Sequence, residues 1–525
     1  MIDKWSISKS QIYNEFDDCE KFYWFDFRQK KFLHNIDTFY YSVKFWNDFT
    51  YDSKDPYVLH FRKYFEHIYN SNDKTLFYDT AVTIRIPGID KPLNVKPFRF
   101  ADFFTICLEV PEYFDIFFAP SVPHGSDGGD SVTCECVVQI RSYMLWMYGV
   151  TEAYEKSFQY IKAIALYFNL DIAYAQENRI DYAFHTNYLK NPEKFFNPED
   201  FYKMRVDRFK DALFHTSKVG SADYEIDYIA LGKRSDKIFI RIYLKSKEVV
   251  EQSYKPWFFK LWLFNGLINR YDLYVYEYAY KNHSWASIDK GRLAYYAEFG
   301  RDPYHVQLCN DVLNHKVEYT ADKLHLLADR LTPKINLIIN VEYQTMRKHS
   351  KNYQLLPFRD NFDKNYSIRI YDYLDNRKLI VNYLTSKVFR LVEPSGDPNK
   401  SRRPLCAFWE ALCRCRISDC PYDPEQQTLV RTYVRNLNSE VVKSRAIKAA
   451  VTFGIYTKGI NNDDPLKDCV DALCRMNDND MEAALRYKNK KIRQFNDDEL
   501  ADVMKDAVAR PDNLIVMDRN SGELY

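Results

Sequence analysis

Between Leu231 and Glu248 the chain reads LGKRSDKIFIRIYLKSKE, and apolar and polar residues alternate strictly through its middle. Ile238, Ile240, Ile242 and Leu244 take one set of positions; Lys237, Phe239, Arg241, Tyr243 and Lys245 take the other. A period of two predicts a strand with one aliphatic face and one basic, aromatic face. The preceding ADYEIDYIAL also alternates, which predicts a hairpin across the turn-forming GKRSD. Keeping the apolar sides together places Ile226 opposite Ile242 and Tyr228 opposite Ile240. That register sets Asp227 against Arg241, Glu225 against Tyr243 and Asp223 against Lys245.

The same period recurs upstream in RIDYAFHT, with Ile180, Tyr182 and Phe184 on one face and Arg179, Asp181, Ala183 and His185 on the other. FDIFFAP and TCECVVQIRSYMLW read as two further strands around the turn-rich SVPHGSDGGDS. In TEAYEKSFQYIKAIALYFNL, Tyr154, Phe158, Ile161, Ala165 and Phe168 recur at helical spacing, so the segment predicts an amphipathic helix whose stripe is core. NPEDFYKMRVDRFKDALF opens on a turn signal and reads as helix. Hairpins mixed with crossover helices predict an α+β fold, a largely antiparallel sheet with helices on one face, over residues 96–300. From 301 to 525 the patterns are mainly helical, as in TADKLHLLADRL and DDELADVMKDAVA. Residues 1–95 alternate aromatic-rich and charged segments and suggest no chemistry.

Composition sharpens this in three ways. With 46% hydrophobic and 28% charged residues the 525-residue chain is globular, large enough for several domains. Its net charge of +1 means that a nucleic-acid partner must be met by local patches, since no global attraction is available. The N-terminal MIDKWSISKSQIYNEF is charged where a signal peptide is apolar, and no run is long enough to span a bilayer, so a soluble, cytoplasmic protein without a membrane partner is expected. Eleven irregularly spaced cysteines fit reduced thiols. The dense group Cys406, Cys413, Cys415 and Cys420 lacks the paired C-x2-C knuckles of a structural zinc site.

The face that carries both carboxylates and cations has two readings. Solvated cross-strand ion pairs would contribute roughly 0.2 to 1 kcal/mol each. A phosphodiester site would use Asp181, Glu225 and Asp227 to hold a divalent Mg or Mn ion, with Arg and Lys on the phosphates and aromatic rings on the bases. Asp181 and His185 share one face and add groups for metal binding or proton transfer.

These residues resemble a known family. Arg179, Asp181 and Ala183 follow the R-x-D-x-A strand, Gly232, Arg234 and Ser235 the G-[SK]-R-x-S turn, and Arg241, Tyr243 and Lys245 the R-x-Y-x-K strand of Rep_trans-type replication initiation factors, found in rolling-circle plasmids, filamentous phages and integrative elements. The likeness spans roughly residues 100–300. It implies a protein of DNA replication that binds an origin, as single strand or cruciform, and nicks and rejoins one strand through a tyrosine nucleophile and a divalent metal. It also implies a dimer and a host helicase as partners. Tyr271, with Asp181 and His185, is the catalytic expectation; Tyr274 and Tyr276 stand in the same segment. Arg179, Arg234, Lys237, Arg241, Tyr243 and Lys245 would contact DNA. The chain departs from the pattern in KPWFFKLWLFNGLINRYDLYVYEYAY, where Lys260 and Trp262 replace the two alternating Glu of a Trp-led strand, and at Leu244, which replaces an Asp. No His-hydrophobic-His pair occurs.

Basic clusters with Arg402 and Arg403 in NKSRRPLCAFWEALCRCRI, and with Lys490 and Lys491 in RYKNKKIRQF, are candidates for phosphate contact in the helical region. SEVVKSRAIKAAVTFG could form part of a helix-turn-helix. Two alternatives stand beside the initiator: a DNA-binding relative that has lost the nicking site, and a virion or interaction protein.

Overall fold

The computed structural model describes residues 31–71, 82–96, 103–122, 134–207, 209, 212–219, 223–251, 255–350, 353, 355, 367–394, 397–415, 417 and 439–492. At 217–219, 223–226, 348, 368, 439–442, 444–445 and 489–492 it describes the backbone alone. Two compact units form, one within 1–350 and 355–429, the other within 351–354 and 430–525.

In the first unit the strands are β1 Phe32–Phe45, β2 Val82–Ile84, β3 Leu93–Lys96, β4 Ile106–Val110, β5 Phe114–Phe118, β6 Cys136–Ile140, β7 Ile172–Thr186, β8 Arg205–Asp207, β9 Ala212–Val219, β10 Asp223–Leu231, β11 Ile238–Leu244, β12 Ile339–Met346 and β13 Phe389–Leu391. Eleven of them make one sheet in the order β2-β3-β4-β5-β6-β1-β7-β12-β11-β10-β9, and β13 pairs with β8. The pairings are antiparallel. The longer helices among the described residues are α1 Pro56–Ser71, α2 Ser142–Tyr148, α3 Val150–Phe168, α4 Pro198–Met204, α5 Lys245–Glu251, α6 Trp257–Phe264, α7 Arg270–Lys281, α8 Ile288–Phe299, α9 Pro303–Leu313, α10 Ala321–Leu331, α11 Ile368–Asp375, α12 Arg377–Tyr383 and α13 Ala407–Cys413. The α+β class with a large antiparallel sheet is therefore as the two periodicities imply.

One sheet face is apolar and carries the core. Phe39, Ile180, Tyr182, Phe184, Val341, Tyr343, Ile240 and Ile242 are all buried. Helix α3 packs there through Tyr154, whose ring lies 6.2 Å from Phe39. Helix α11 joins it, Tyr182 donating to the Tyr373 hydroxyl at 3.3 Å. The α3 stripe read from the sequence is buried in full, each large side chain contributing roughly 1.5–3 kcal/mol.

Several local expectations are corrected: the stretch read as helix from Asn197 is helical only over Pro198–Met204 before β8 and β9, and the strand read through TCECVVQIRSYMLW ends at Ile140, where α2 takes over. Strand β12 lies between β7 and β11, in a stretch read as helical. The hairpin register is Tyr228 with Tyr243, Ile229 with Ile242, Ala230 with Arg241 and Leu231 with Ile240. Relative to the expected pairing this slips by three residues, because Ile229 and Leu231 bury almost completely beside Ile240 and Ile242. The turn is tight at Gly232, whose φ is +80° and where a Cβ would meet Phe209 Cε1 at 2.9 Å. That accounts for glycine at this position of the motif. Trp257–Phe264 is a helix and not a strand; it is apolar on nearly every side and buried, so its sequence shows neither period.

Among its described residues the second unit forms α14 Ser439–Lys458, α15 Pro465–Cys474 and α16 Asp478–Ile492. Asp464 caps α15, accepting from the Lys467 amide at 3.0 Å. Gly454 lets α14 touch Pro465, since a Cβ there would lie 2.5 Å from the Pro465 carbonyl oxygen.

Candidate nucleic-acid interface

Residues directly opposite one another in an antiparallel sheet share a face, so register alone assembles the site. Along β7, Asp181 stands opposite Gln344, Ala183 opposite Glu342 and His185 opposite Asn340 of β12. Across β12, Glu342 faces Arg241 and Asn340 faces Tyr243. On the other side of β7, Tyr40 of β1 pairs with Arg179, and Asp37 sits in the bulge between Ile36 and Thr38. The motif residues Arg179, Asp181, Arg241 and Tyr243 thus meet on one polar face, with β12 between their strands.

Their contacts follow a repeated scheme of an acid underneath and a cation above. Arg179 donates through Nε to Asp181 Oδ1 at 2.9 Å and through Nη2 to Asp181 Oδ2 at 2.5 Å. Arg241 donates through Nη2 to Glu342 Oε1 at 2.6 Å, and the Tyr243 hydroxyl donates to Glu342 Oε2 at 3.0 Å. Side-chain exposure is 30% and 4% for Arg179 and Asp181, and 27% and 3% for Arg241 and Glu342. Lys245 is buried, 2.7 Å from Glu248 and 3.9 Å from Asp37. Asp37 Oδ1 also accepts from Ser142 Oγ at 2.6 Å and Trp146 Nε1 at 3.0 Å. Helices α2 and α6 therefore cover one end of the face and leave the arginines half open.

This environment moves the titrations apart. For Asp37, burial alone would raise the carboxyl, but Lys245, Lys255 and the Ser142 hydroxyl hold it well below the usual range. Asp181 is pushed up to about 7, by burial first and then by Glu342 and Asp37, against the opposing pull of Arg179. His185 is lowered to about 3, by burial and then by Lys245, so it is neutral. Trp262 Nε1 donates to His185 Nδ1 at 3.2 Å, which puts the imidazole proton on Nε2. That Nε2 is buried and meets no acceptor, and the same holds for Arg241 Nε. Trp262 thus supplies a neutral donor to His185.

A raised carboxyl has a signed consequence for stability. An unfolded aspartate titrates near 3.9 and Asp181 in the fold near 7. Between those values the folded chain holds the extra proton, so its contribution is greatest below about pH 4, declines as pH rises and levels off above about pH 7. Asp181→Asn should flatten that limb of the profile, read from urea midpoints between about pH 4 and 8. An unchanged slope would mean that the carboxyl titrates normally.

Other expected site residues lie elsewhere. Asp227 is outside the registered β10–β11 pairs and its Oδ1 accepts from Lys247 at 2.8 Å. The Glu225 side chain lies outside the described residues. Tyr271 opens α7, its hydroxyl donating to the Pro333 carbonyl at 2.7 Å and its ring edge-on to Tyr295. Tyr274 donates to Glu298 at 2.8 Å and Tyr276 to the Asn336 carbonyl at 2.5 Å. Among the described residues no hydrogen bond links these three tyrosines to Asp37, Asp181 or Glu342. Arg234, Lys237 and Arg402 are exposed. Arg403 donates to the carbonyls of Asp397 and Lys203. Lys490 and Lys491 lie on α16 with side chains outside the described residues, as does Cys420 in full. Among the described residues no three His, Cys, Asp or Glu side chains converge closely enough to share a metal ion. The carboxylates of Asp37, Asp181 and Glu342 are each engaged by a cation, Lys245, Arg179 and Arg241 in turn. Asp37, Tyr40, Asn340 and Glu342 are site residues that the sequence reading did not single out.

No protein-family model and no curated protein matches the chain. Among solved structures it is similar to a rolling circle replication initiator protein from Geobacillus stearothermophilus, at 12% identity and a TM-score of 0.30, over 73% of this chain and 95% of that one. A superposition this loose carries no residue and no activity across. Among the described residues no helix is long and apolar enough to cross a membrane.

Proposed function

We propose that the chain is a replication initiation protein that binds the origin DNA of a plasmid, phage or integrative element on the polar face of its sheet. The observation that carries this reading is the pair of partly exposed guanidiniums, Arg179 and Arg241, held side by side on one face and oriented by the buried carboxylates of Asp181 and Glu342 beneath them. Phosphate oxygens would supply acceptors to such groups, and guanidinium forks suit them in shape and charge. The clustering of the three motif segments around β7, β12 and β11 supports the same reading.

The finer activity is strand cleavage. The Tyr271 oxygen would attack the phosphorus, the bond from phosphorus to the 3′ oxygen would break, and the 3′ oxygen would leave with a proton as a free hydroxyl. The 5′ phosphate would remain on tyrosine, conserving bond energy for rejoining. With its hydroxyl on Pro333, Tyr271 must be released before it can attack. The second reading, a DNA-binding relative that does not cut, is favoured by the paired state of Asp37, Asp181 and Glu342.

The test is incubation with supercoiled DNA carrying the element's own origin and Mg²⁺ or Mn²⁺, followed by detection of protein attached to a 5′ end. The expected result is an adduct that Tyr271→Phe abolishes while binding persists. Binding without any adduct would support the second reading, and absence of binding would remove both.

A further inference from the structure

Beyond the motif strands the same face continues, and its register can be followed residue by residue. Asn94 pairs with Glu109, Glu109 with Asp115, Asp115 with Gln139, Gln139 with Tyr40 and Tyr40 with Arg179. This unbroken row of cross-strand partners runs from β3 to β7 on the polar side. At its far end the acid-below, cation-above scheme recurs. Arg141 donates through Nε to Asp115 at 2.9 Å and through Nη2 to Asp115 and Glu109, each at 2.7 Å. Lys96 reaches the other Glu109 oxygen at 2.5 Å. The cations are again about 30% exposed and the acids below 10%: 31% and 8% for Lys96 and Glu109, 30% and 7% for Arg141 and Asp115. Between the two ends Tyr40 is half-buried, with the Arg179 guanidinium 5.5 Å from its ring centre.

We infer that this row is a track for single-stranded DNA, leading from the Arg179–Arg241 centre across β1 and β6 to Lys96, with Arg141 and Lys96 on phosphates and Tyr40 stacking on a base. The inference rests on the nucleic-acid reading above and extends it to strands outside the motif region. Three points carry it. A carboxylate behind each guanidinium fixes its orientation, so less side-chain freedom is lost when a phosphate arrives. In both Arg141 and Arg179 the Nη1 corner takes no part in the bonds to the acid. Seven strand spacings separate β11 from β3, a path of about 34 Å, which suits a strand of several nucleotides. A stacking phenol needs an unpaired base, so the single strand is favoured over a duplex.

The test compares the full-length chain with a charge-balanced variant, Lys96→Gln, Glu109→Gln, Asp115→Asn and Arg141→Gln, which leaves no buried charge without its partner. Fluorescence anisotropy with oligothymidylates of about 5 and about 16 nucleotides measures affinity and its salt dependence. The expected result is about a tenfold loss for the longer strand only, with a salt slope shallower by about 1.4, two phosphates at about 0.7 each. As a measure independent of the variant's folding, the unaltered protein should photo-crosslink a 5-iododeoxyuridine 16-mer at Tyr40 or within 134–141. Equal affinity of variant and parent for the longer strand, with crosslinks confined to β10 and β11, would overturn the track and leave the motif centre standing. A duplex or polyglutamate that displaces the 16-mer from these residues more tightly than a single strand would also overturn it. If the unaltered chain binds neither oligonucleotide, the nucleic-acid reading itself falls.

Discussion

Glu342→Ala should lower the unfolding free energy by about 3 kcal/mol, at the lower end of the range for breaking a buried ion pair. Glu342 is 3% exposed and accepts from Arg241, Tyr243 and Asn340; its removal takes this acceptor from the Arg241 guanidinium and the Tyr243 hydroxyl, while Asn340 keeps its bond to Tyr243 at 2.9 Å. The 27% exposure of Arg241 lets water recover part of the loss. Glu342→Gln keeps an acceptor and should cost only about 1–2 kcal/mol. Replacing Arg241 and Glu342 together by leucine should restore much of the stability, because two apolar groups need no partner. Urea midpoints at constant slope give all three numbers. A cost below about 1 kcal/mol for the alanine variant would show that the guanidinium is hydrated and the pair behaves as an ordinary surface pair.

Arg179→Gln combined with Arg241→Gln should weaken binding of single-stranded DNA by about a hundredfold at 0.1 M salt, since two charge-assisted contacts of roughly 1.5 kcal/mol each are lost. The salt slope should become shallower by about 1.4. Lysine at both positions keeps the charge without the planar fork and should fall between the two. Circular dichroism checks that the sheet persists in each variant. Unchanged affinity with an intact fold would mean that the arginines serve only the carboxylates beneath them.

Much of the architecture was legible because periodicity reports burial. RIDYAFHT gave the two faces of β7, and the stripe from Tyr154 to Phe168 gave α3, since in each the same side chains enter the core. The hairpin slipped because several registers keep aliphatic residues together; choosing among them depends on how deeply Ile229 and Leu231 bury, which a linear pattern does not state. The greater omission was β12. INVEYQTM alternates as cleanly as the basic strand, with Asn340, Glu342 and Gln344 against Val341 and Tyr343, but it follows a long helical run and was absorbed into it. Glu342, on this strand, is the acid that holds Arg241, a place that the hairpin pattern alone assigns to Asp227. Asp37 is illegible for another reason: its position on the polar face depends on a bulge in β1 and on Ser142 and Trp146, none of which leaves a local trace.

The late arrival of β12 also governs how the molecule can assemble. Its neighbours, β7 and β11, end at Thr186 and Leu244, yet the strand that joins them starts only at Ile339. Until synthesis has passed Met346, both would expose unsatisfied edges, a template for pairing between chains. Contact order at the middle of the sheet is therefore high, and closing it should set the slow step of folding. The face on which Arg179 and Arg241 meet is thus incomplete until residue 346 has been made, although β1 and β7 were finished long before.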